Sequence, residues 1–93
     1  MTRKLYSIFD RKSCEWQYPV PDINDDTAVR NVAMSLSSQS LLTFSSADFD
    51  LYAVGEFDNE TGRVVQYPCN QFVMNVSDII RNYCEKKVDV DAT

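Results

Sequence analysis

The sequence predicts a two-layer α+β domain, in which two β-hairpin–helix repeats form a four-stranded antiparallel sheet with two helices on one face. Three observations predict it: short aromatic and β-branched segments separated by turn residues, an amphipathic stretch after each pair of segments, and similarity between the two halves. With 93 residues, 44% of them hydrophobic, the composition is that of a folded rather than a disordered chain. We expect a single domain over residues 1–87 and a flexible tail over residues 88–93.

The first hairpin is predicted near the N-terminus. Residues 4–9 (KLYSIF) are typical of a strand, and the polar residues 10–13 are typical of a turn. Residues 14–18 (CEWQY) form the predicted second strand, which Pro19 and Pro21 are expected to end.

The first helix is predicted to begin at residues 24–27, which supply capping and acidic first-turn side chains. It should end near residues 37–38, and the serine-rich residues 37–46 should form a connector that tucks apolar side chains under the domain. The apolar residues at helical spacing are Ala28, Val29, Val32, Ala33 and Leu36.

The second half repeats this order. Residues 50–57 (DLYAVGEF) and 63–67 (RVVQY) are predicted strands, joined by a loop over residues 58–62 and stopped by Pro68. Asn75 or Ser77 is expected to cap the second helix. Its predicted apolar face consists of Val76, Ile79, Ile80 and Tyr83.

The repeat, over about residues 3–38 and 49–87, depends on four matches that occur in the same order in both halves. Joining the two hairpins gives the four-stranded sheet, since a lone hairpin is marginal in water. The alternative is that each hairpin pairs with a partner chain in a dimer. The matches are 5–6 with 51–52, 9–10 with 57–58, 17–19 with 66–68, and 28–31 with 79–82.

The residue inventory argues against catalysis. The chain contains no histidine, and only Gly55 and Gly62 could contribute to a phosphate-binding loop. Cys14, Cys69 and Cys84 are odd in number and widely spaced, which favours reduced thiols over a disulfide scaffold or a zinc site. We therefore expect a non-enzymatic protein without cofactor or metal.

Aromatic side chains on the strands are the candidate binding surface. By the repeat, Tyr52 and Val54 should share a face with Tyr6 and Ile8, either as core or as an exposed surface. In the second strand three side chains should point the same way, namely Cys14, Trp16 and Tyr18.

The net charge of −5 argues against a non-specific DNA coat but leaves room for a local basic patch. Cations near an aromatic ring can hold single-stranded nucleic acid, and the alternative is that they are ordinary solvated charges. The candidate nucleic-acid-binding residues are Arg3, Lys4, Arg11, Lys12 and Trp16.

Three segments carry a family resemblance: residues 3–10 (RKLYSIFD), residues 24–30 (NDDTAVR), and residues 48–58 (DFDLYAVGEFD) followed by Thr61 and Gly62. Together they resemble the small non-structural protein of gokushoviruses, single-stranded DNA bacteriophages of the Microviridae. The resemblance implies the role of the microvirus DNA-switching protein, which helps to turn duplex DNA replication into single-stranded genome synthesis and packaging. The resemblance assigns a functional role to no individual residue of this chain.

Two functions remain open. The first is a phage accessory protein that acts in the cytoplasm of the bacterial host, with the phage replication protein, the procapsid or single-stranded DNA as partner. The second is a small acidic dimeric adaptor or host-directed inhibitor with no nucleic-acid role. In both cases we expect a homodimer and no membrane association, since no apolar stretch approaches the length of a membrane span.

Overall fold

The predicted α+β class with an antiparallel sheet is confirmed. The structure, a computed structural model, describes residues 1–36 and 40–85, except the side chains at positions 84 and 85. The strands are β1 (Thr2–Asp10), β2 (Glu15–Trp16), β3 (Val20–Asp22), β4 (Phe49–Asp58) and β5 (Val64–Asn75). The helices are α1 (Asp25–Ser35), α2 (Leu41–Phe44) and α3 (Val76–Ile79), with a 3-10 turn at Ser46–Asp48 and a π-helical turn at Ile80–Glu85.

The sheet is antiparallel throughout, with the strand order β2-β1-β4-β5. One edge of β1 pairs along its whole length with β4, from Thr2 opposite Asp58 to Asp10 opposite Phe49. The other edge pairs with β2 near Phe9 and with β3 near Leu5. The two long strands β1 and β4 are therefore the centre of the sheet, and β5 forms one edge.

The core lies between the sheet and the helices. Residues from α1 and α3 belong to one buried cluster with residues of β1 and β4, so both helices lie on the same face of the sheet. We call this the helix face and the opposite one the open face. The buried apolar residues are Tyr6, Ile8, Ala28, Val29, Phe49, Leu51, Ala53, Val76 and Ile79.

The cap of α1 forms as the sequence predicts. The Thr27 backbone N–H donates to the Asn24 side-chain oxygen (2.9 Å), and the Asn24 backbone N–H donates to the Thr27 hydroxyl (3.2 Å). This reciprocal pair satisfies two donors that the first helical turn leaves free. The last residue of α1 is Ser35, and the predicted end at residues 37–38 lies outside the described residues.

A β-bulge divides β4 into two halves. Leu5 pairs with Gly55 and Tyr6 pairs with Ala53, so Val54 is an extra residue between them. In β5 the partners of Ala53 and Gly55 are residues 71 and 66, which leaves residues 67–70 as a larger bulge. An extra residue reverses the alternation of side chains. Beyond Val54, the even-numbered side chains of β4 therefore lie on the helix face.

The predicted repeat is not confirmed in its details. The second strand is only Glu15–Trp16, and a separate strand at Val20–Asp22 contains Pro21, which was expected to end pairing. An edge strand tolerates proline because its outer N–H groups need no partner in the sheet. The connector contains two short helical segments, α2 and the 3-10 turn.

The prediction that Pro68 ends the fourth strand is wrong. Strand β5 continues to Asn75, because the bulge at residues 67–70 takes Pro68 out of the pairing with β4. The second helix nevertheless begins where the sequence predicts, with Asn75 as its N-cap, and α3 continues directly into the π-helical turn Ile80–Glu85. The predicted tail over residues 88–93 lies outside the described residues.

The predicted sharing of a sheet face by Tyr52 and Tyr6 is also wrong. Ala53 stands opposite Tyr6, and Leu51 stands opposite Ile8, so these four residues share the helix face. Tyr52 stands opposite Ser7 and lies on the open face. The register between β1 and β4 determines the face on which each side chain lies, and it differs from the register that the repeat implies.

Candidate nucleic-acid interface

A continuous row of aromatic rings crosses the open face of the sheet. The centroids of Phe9 and Trp16 are 4.8 Å apart, those of Trp16 and Tyr52 are 5.1 Å apart, and those of Tyr52 and Phe72 are 5.7 Å apart. The last two pairs meet edge to face, at interplanar angles of 65° and 79°. Trp16 and Phe72 remain 43% and 59% exposed. The row therefore joins β2, β1, β4 and β5 and keeps part of its aromatic surface in contact with solvent.

The hairpin between β1 and β2 brings Trp16 onto this face. Cys14 takes a positive φ of 59°, and its backbone N–H donates to the Asp10 carbonyl (2.8 Å), which turns the chain back tightly. Trp16 then stands opposite Phe9. Next to this pair on β1 is the small, buried Ser7, whose hydroxyl donates to the Gln17 carbonyl (2.5 Å). The small side chain leaves room for the indole to reach Tyr52 on the far side of β1.

Cys14 and Tyr18 do not join Trp16 in a common binding face as predicted. Cys14 lies in the turn before β2, and Tyr18 follows the end of that strand with 93% of its surface exposed. The two-residue length of β2 prevents the alternation on which that prediction depended.

Lys4 does not contribute to the open face. Its ammonium group lies 3.0 Å from Asp25 Oδ1, at the start of α1 on the helix face. The Tyr6 hydroxyl donates to the same oxygen at 2.6 Å. Burial, followed by the hydrogen bond to Asp25, raises the pKa of Tyr6, and that hydrogen bond in turn lowers the pKa of Asp25. Lys4 is thus half of a partly exposed ion pair at the N-terminal end of α1.

Arg11 lies at the end of the sheet that carries Phe9. Its Nε is 3.0 Å from Asp50 Oδ2, and its Nη2 donates to the Ala47 carbonyl. Asp50 stands opposite Phe9 and is buried, so the guanidinium neutralises a carboxylate at the end of the aromatic row. About half of the Arg11 side chain remains exposed.

Arg3 and Lys12 lie far apart. Arg3 stands opposite Phe57, toward the other end of β1 from Arg11, and the alternation of β1 places it on the open face. Lys12 is exposed in the β1–β2 turn. The structure therefore brings Arg11, Lys12 and Trp16 to one end of the sheet, and it places Arg3 and Lys4 elsewhere.

The bulge in β4 keeps two carboxylates away from the aromatic row. Glu56 accepts a hydrogen bond from the hydroxyl of Tyr67 (3.0 Å), which packs against the core on the helix face. Burial and then this bond raise the pKa of Tyr67. Asp58 shares the face of Glu56 by alternation. Among the described strand residues the open face thus carries one carboxylate, Asp50, which Arg11 neutralises.

Three members of the aromatic row were not among the predicted nucleic-acid-binding residues. Tyr52 was expected to share a face with Tyr6, either as core or as an exposed surface. Phe9 belongs to a predicted strand, and its position in the hairpin next to Trp16, a predicted site residue, could have identified it. Phe72 follows Pro68, where the sequence predicted the end of the strand, so its place on the sheet could not be recognised.

Two further properties of the described ranges bear on function. Within residues 1–36 and 40–85, no helix is long and apolar enough to cross a membrane. Across the same ranges, histidine, cysteine, aspartate and glutamate side chains form no group of three or more that could hold a metal ion.

Comparison with known proteins supplies the family. The family model described as Phage ORF5 protein matches residues 3–79, which is most of the chain and includes the whole sheet except Thr2 at the start of β1. Neither a curated protein nor a solved structure matches the chain. The matched region also contains the whole aromatic row. The chain therefore belongs to the family of phage ORF5 proteins, and it is a bacteriophage protein.

Proposed function

We propose that this phage protein is a non-enzymatic accessory factor that binds single-stranded DNA across the open face of its sheet. The observation that carries the proposal is the row of four rings that Phe9, Trp16, Tyr52 and Phe72 form. Bases of a single strand can stack on aromatic side chains without regard to sequence, because every base has a π-face. Small sheet domains bind single-stranded nucleic acid in this way.

The distribution of charge supports this face over the rest of the surface. The chain is acidic, and its net charge of −5 would repel phosphate over most of the molecule. Glu56 and Asp25 lie on the helix face, and Asp50 is neutralised by Arg11. The aromatic row thus lies on the less acidic side of the sheet.

The resemblance to gokushovirus non-structural proteins suggests what the bound strand is for. A protein that holds newly displaced single strands would favour single-stranded genome synthesis over duplex copying, and would keep the strand available for packaging. We propose this role in the cytoplasm of the bacterial host. Family membership supports a phage accessory role, and the DNA step is the part that needs a direct test.

The test uses Trp16, which is the only tryptophan of the chain. Titration with an unlabelled oligothymidylate should quench its emission as a base stacks on the indole. Anisotropy of a fluorescein-labelled oligothymidylate should then show weaker binding by Trp16→Ala and Phe72→Ala. Each loss should be roughly 5- to 150-fold, since stacking on one aromatic side chain contributes about 1–3 kcal/mol.

Phe44→Ala is the matched control. Phe44 is an exposed phenylalanine like Phe72, but it lies on α2 and outside the sheet. Its substitution should leave the affinity unchanged. Equal weakening by Phe44→Ala and Phe72→Ala, or no binding at low salt, would refute DNA binding by the open face.

Salt dependence provides a second test. At most three of the candidate cations, Arg3, Arg11 and Lys12, remain available on or beside the open face. Each phosphate contact contributes roughly 0.7 to the slope of log affinity against log salt for a single strand. The slope should therefore not exceed about 2 in magnitude. Arg11→Gln or Lys12→Gln should each reduce its magnitude by roughly 0.7, the contribution of one phosphate contact.

A second candidate function is the binding of a protein partner, such as the phage replication protein or the procapsid. The observation that favours it is the pairing of Lys4 with Asp25 and of Arg11 with Asp50, which leaves few free cations on an acidic chain. Co-purification from infected cells with and without nuclease separates the two functions. A replication protein or procapsid that stays bound after nuclease treatment would favour the second.

A further inference from the structure

A pocket adjoins the aromatic row on the open face of the sheet. It is a cavity of about 220 Å³, and Trp16 of the row is one of the residues that line it. Its lining also includes Ser7 of β1 and Val54 of β4, the two central strands. Ser7 is small, and Gly55, which follows Val54, carries no side chain. The middle of this face is therefore low, and the pocket lies between a wall at the end of β2 and a wall on β5.

Two amide side chains of β5 form the wall opposite Trp16. Gln66 stands opposite Gly55, and Asn70 lies in the bulge of β5. Regular pairing resumes with Gln71, which stands opposite Ala53, a residue of the helix face. Gln66 and Asn70 therefore line the pocket, whereas the similar side chain of Gln71 does not.

The lining combines one large aromatic ring with neutral polar groups. Within the described part of the chain, the residues that line the pocket include three amides, Gln17, Gln66 and Asn70, and no charged side chain. All three amide residues are exposed, and in the same part of the chain no hydrogen bond engages their side-chain amide groups. Each amide offers an N–H donor beside a carbonyl acceptor. A neutral, planar ligand with a polar edge matches this lining, and a nucleobase has those properties.

We propose that this pocket binds one base of a single strand, stacked on Trp16, and that it prefers adenine. The proposal rests on the single-strand binding proposed above and adds a base preference to it. With the base against Trp16, its polar edge faces the opposite wall, where Gln66 and Asn70 present their amides. The pocket thus adds hydrogen-bond recognition to an aromatic row that by itself is indifferent to sequence.

The hydrogen-bonding pattern of the bases favours adenine. A glutamine or asparagine amide pairs with adenine through two hydrogen bonds, one to the N6 amino group and one to N7. Adenine offers a second donor–acceptor pair at N6 and N1. Guanine presents two acceptors at O6 and N7, which arginine or lysine usually reads, and the described lining contains neither. The pyrimidines have a single ring and stack less surface on an indole.

The test is a competition assay on the full chain. Unlabelled strands displace a fluorescein-labelled oligothymidylate, and they differ only in one central base, which is thymine, adenine, guanine or cytosine. The adenine strand should compete roughly tenfold better than pure oligothymidylate, within the discrimination that one paired amide provides. Gln66→Met/Asn70→Leu should remove this advantage. Gln71→Met is the matched control, because it removes an amide from the same strand outside the pocket, and it should retain the advantage.

A second measurement needs no variant. In spectra of the wild type, the adenine strand should shift the side-chain amide signals of Gln66 and Asn70 and leave those of Gln71 in place. Equal competition by all four strands would overturn the base pocket and leave single-strand binding intact, whereas no binding of any strand would refute both. Free deoxyadenosine monophosphate that competes as well as the adenine strand would also overturn the proposal, since the pocket would then be a site for a free nucleotide.

Discussion

The indole of Trp16 crosses the central strand β1 and meets the ring of Tyr52 edge to face, with 5.1 Å between the centroids. Tyr52 in turn contacts Phe72 on the next strand. One half-buried tyrosine therefore connects the short β2 to the edge strand β5, which share no direct pairing.

Tyr52→Ala should destabilise the protein by about 2 kcal/mol, because two aromatic contacts and the partly buried ring are lost together. Emission from Trp16 should move to longer wavelength, since water reaches the indole. Urea unfolding and fluorescence spectra test both effects. Tyr18→Ala is the control, and it should stay within about 0.5 kcal/mol of the wild type because Tyr18 is 93% exposed. Equal losses in the two variants would contradict the assigned contacts.

Asp25 should make stability depend on acid pH. The Tyr6 hydrogen bond and the Lys4 ammonium hold its folded-state pKa below the ordinary value of about 3.9, and this outweighs the effect of burial. Its stabilisation is therefore present above that value and is lost as the pH falls through the lower folded-state pKa. Asp25→Asn should lower the melting temperature at pH 7 and have little effect near pH 2.

Asp26→Asn is the control for this pH dependence. Asp26 occupies the same helical turn, but Asp25 is the one that contacts Lys4 and Tyr6. Thermal unfolding from pH 2 to pH 7 should show a larger pH-dependent difference for Asp25→Asn. Identical profiles for the two variants would mean that the attraction of any carboxylate to the helix N-terminus accounts for the pH dependence, and that the contacts of Asp25 with Lys4 and Tyr6 do not.

Asn75 joins three parts of the chain. Its side-chain amide donates to Asp50 Oδ1 (2.7 Å) and to the Phe49 carbonyl (3.0 Å), and its oxygen accepts from the Ser77 backbone N–H at the start of α3 (3.0 Å). Asn75→Ala should cost about 2–3 kcal/mol, because it removes a helix cap and a partner of a buried carboxylate. Urea unfolding measures this loss. The exposed Asn70 is the control, and comparable loss in Asn70→Ala would contradict the prediction.

Gly55 allows β4 and β5 to approach closely. A Cβ atom at this position would lie 2.3 Å from the Val65 backbone oxygen, so any side chain forces the two strands apart. Gly55→Ala should therefore destabilise the protein by about 2–3 kcal/mol. Gly62→Ala should cost about 1–2 kcal/mol, because Gly62 has a φ of +77° but open space around it. Chemical denaturation measures the loss of stability in each variant, and a larger loss in Gly62→Ala than in Gly55→Ala would refute the steric argument.

Local physics made part of the fold predictable. Asn24 and Thr27 cap α1 through hydrogen bonds within one turn, so the sequence around them was sufficient to place the helix start. The hairpin near Asp10 was equally local, and so was the loop that contains Gly62. These elements require no knowledge of what lies across the sheet.

The site was harder to predict because it depends on contacts between distant residues. Lys4 and Arg11 look like free cations in the sequence, and only the folded chain brings them to Asp25 and Asp50. Trp16 could be singled out as a candidate, but its stacking partners depend on the register between strands. That register includes the bulge at Val54, which no local pattern shows.

The bulge at Val54 reverses, within one strand, which face of the sheet the odd- and even-numbered side chains occupy. Deleting this one residue would turn the second half of β4 over, and Glu56 and Asp58 would move to the side that carries the aromatic row. Two negative charges would then lie on the proposed path of a polyanion, while every ring of the row would remain in the chain. In this strand the spacing of residues, as much as their chemistry, separates the acidic side of the sheet from the aromatic side.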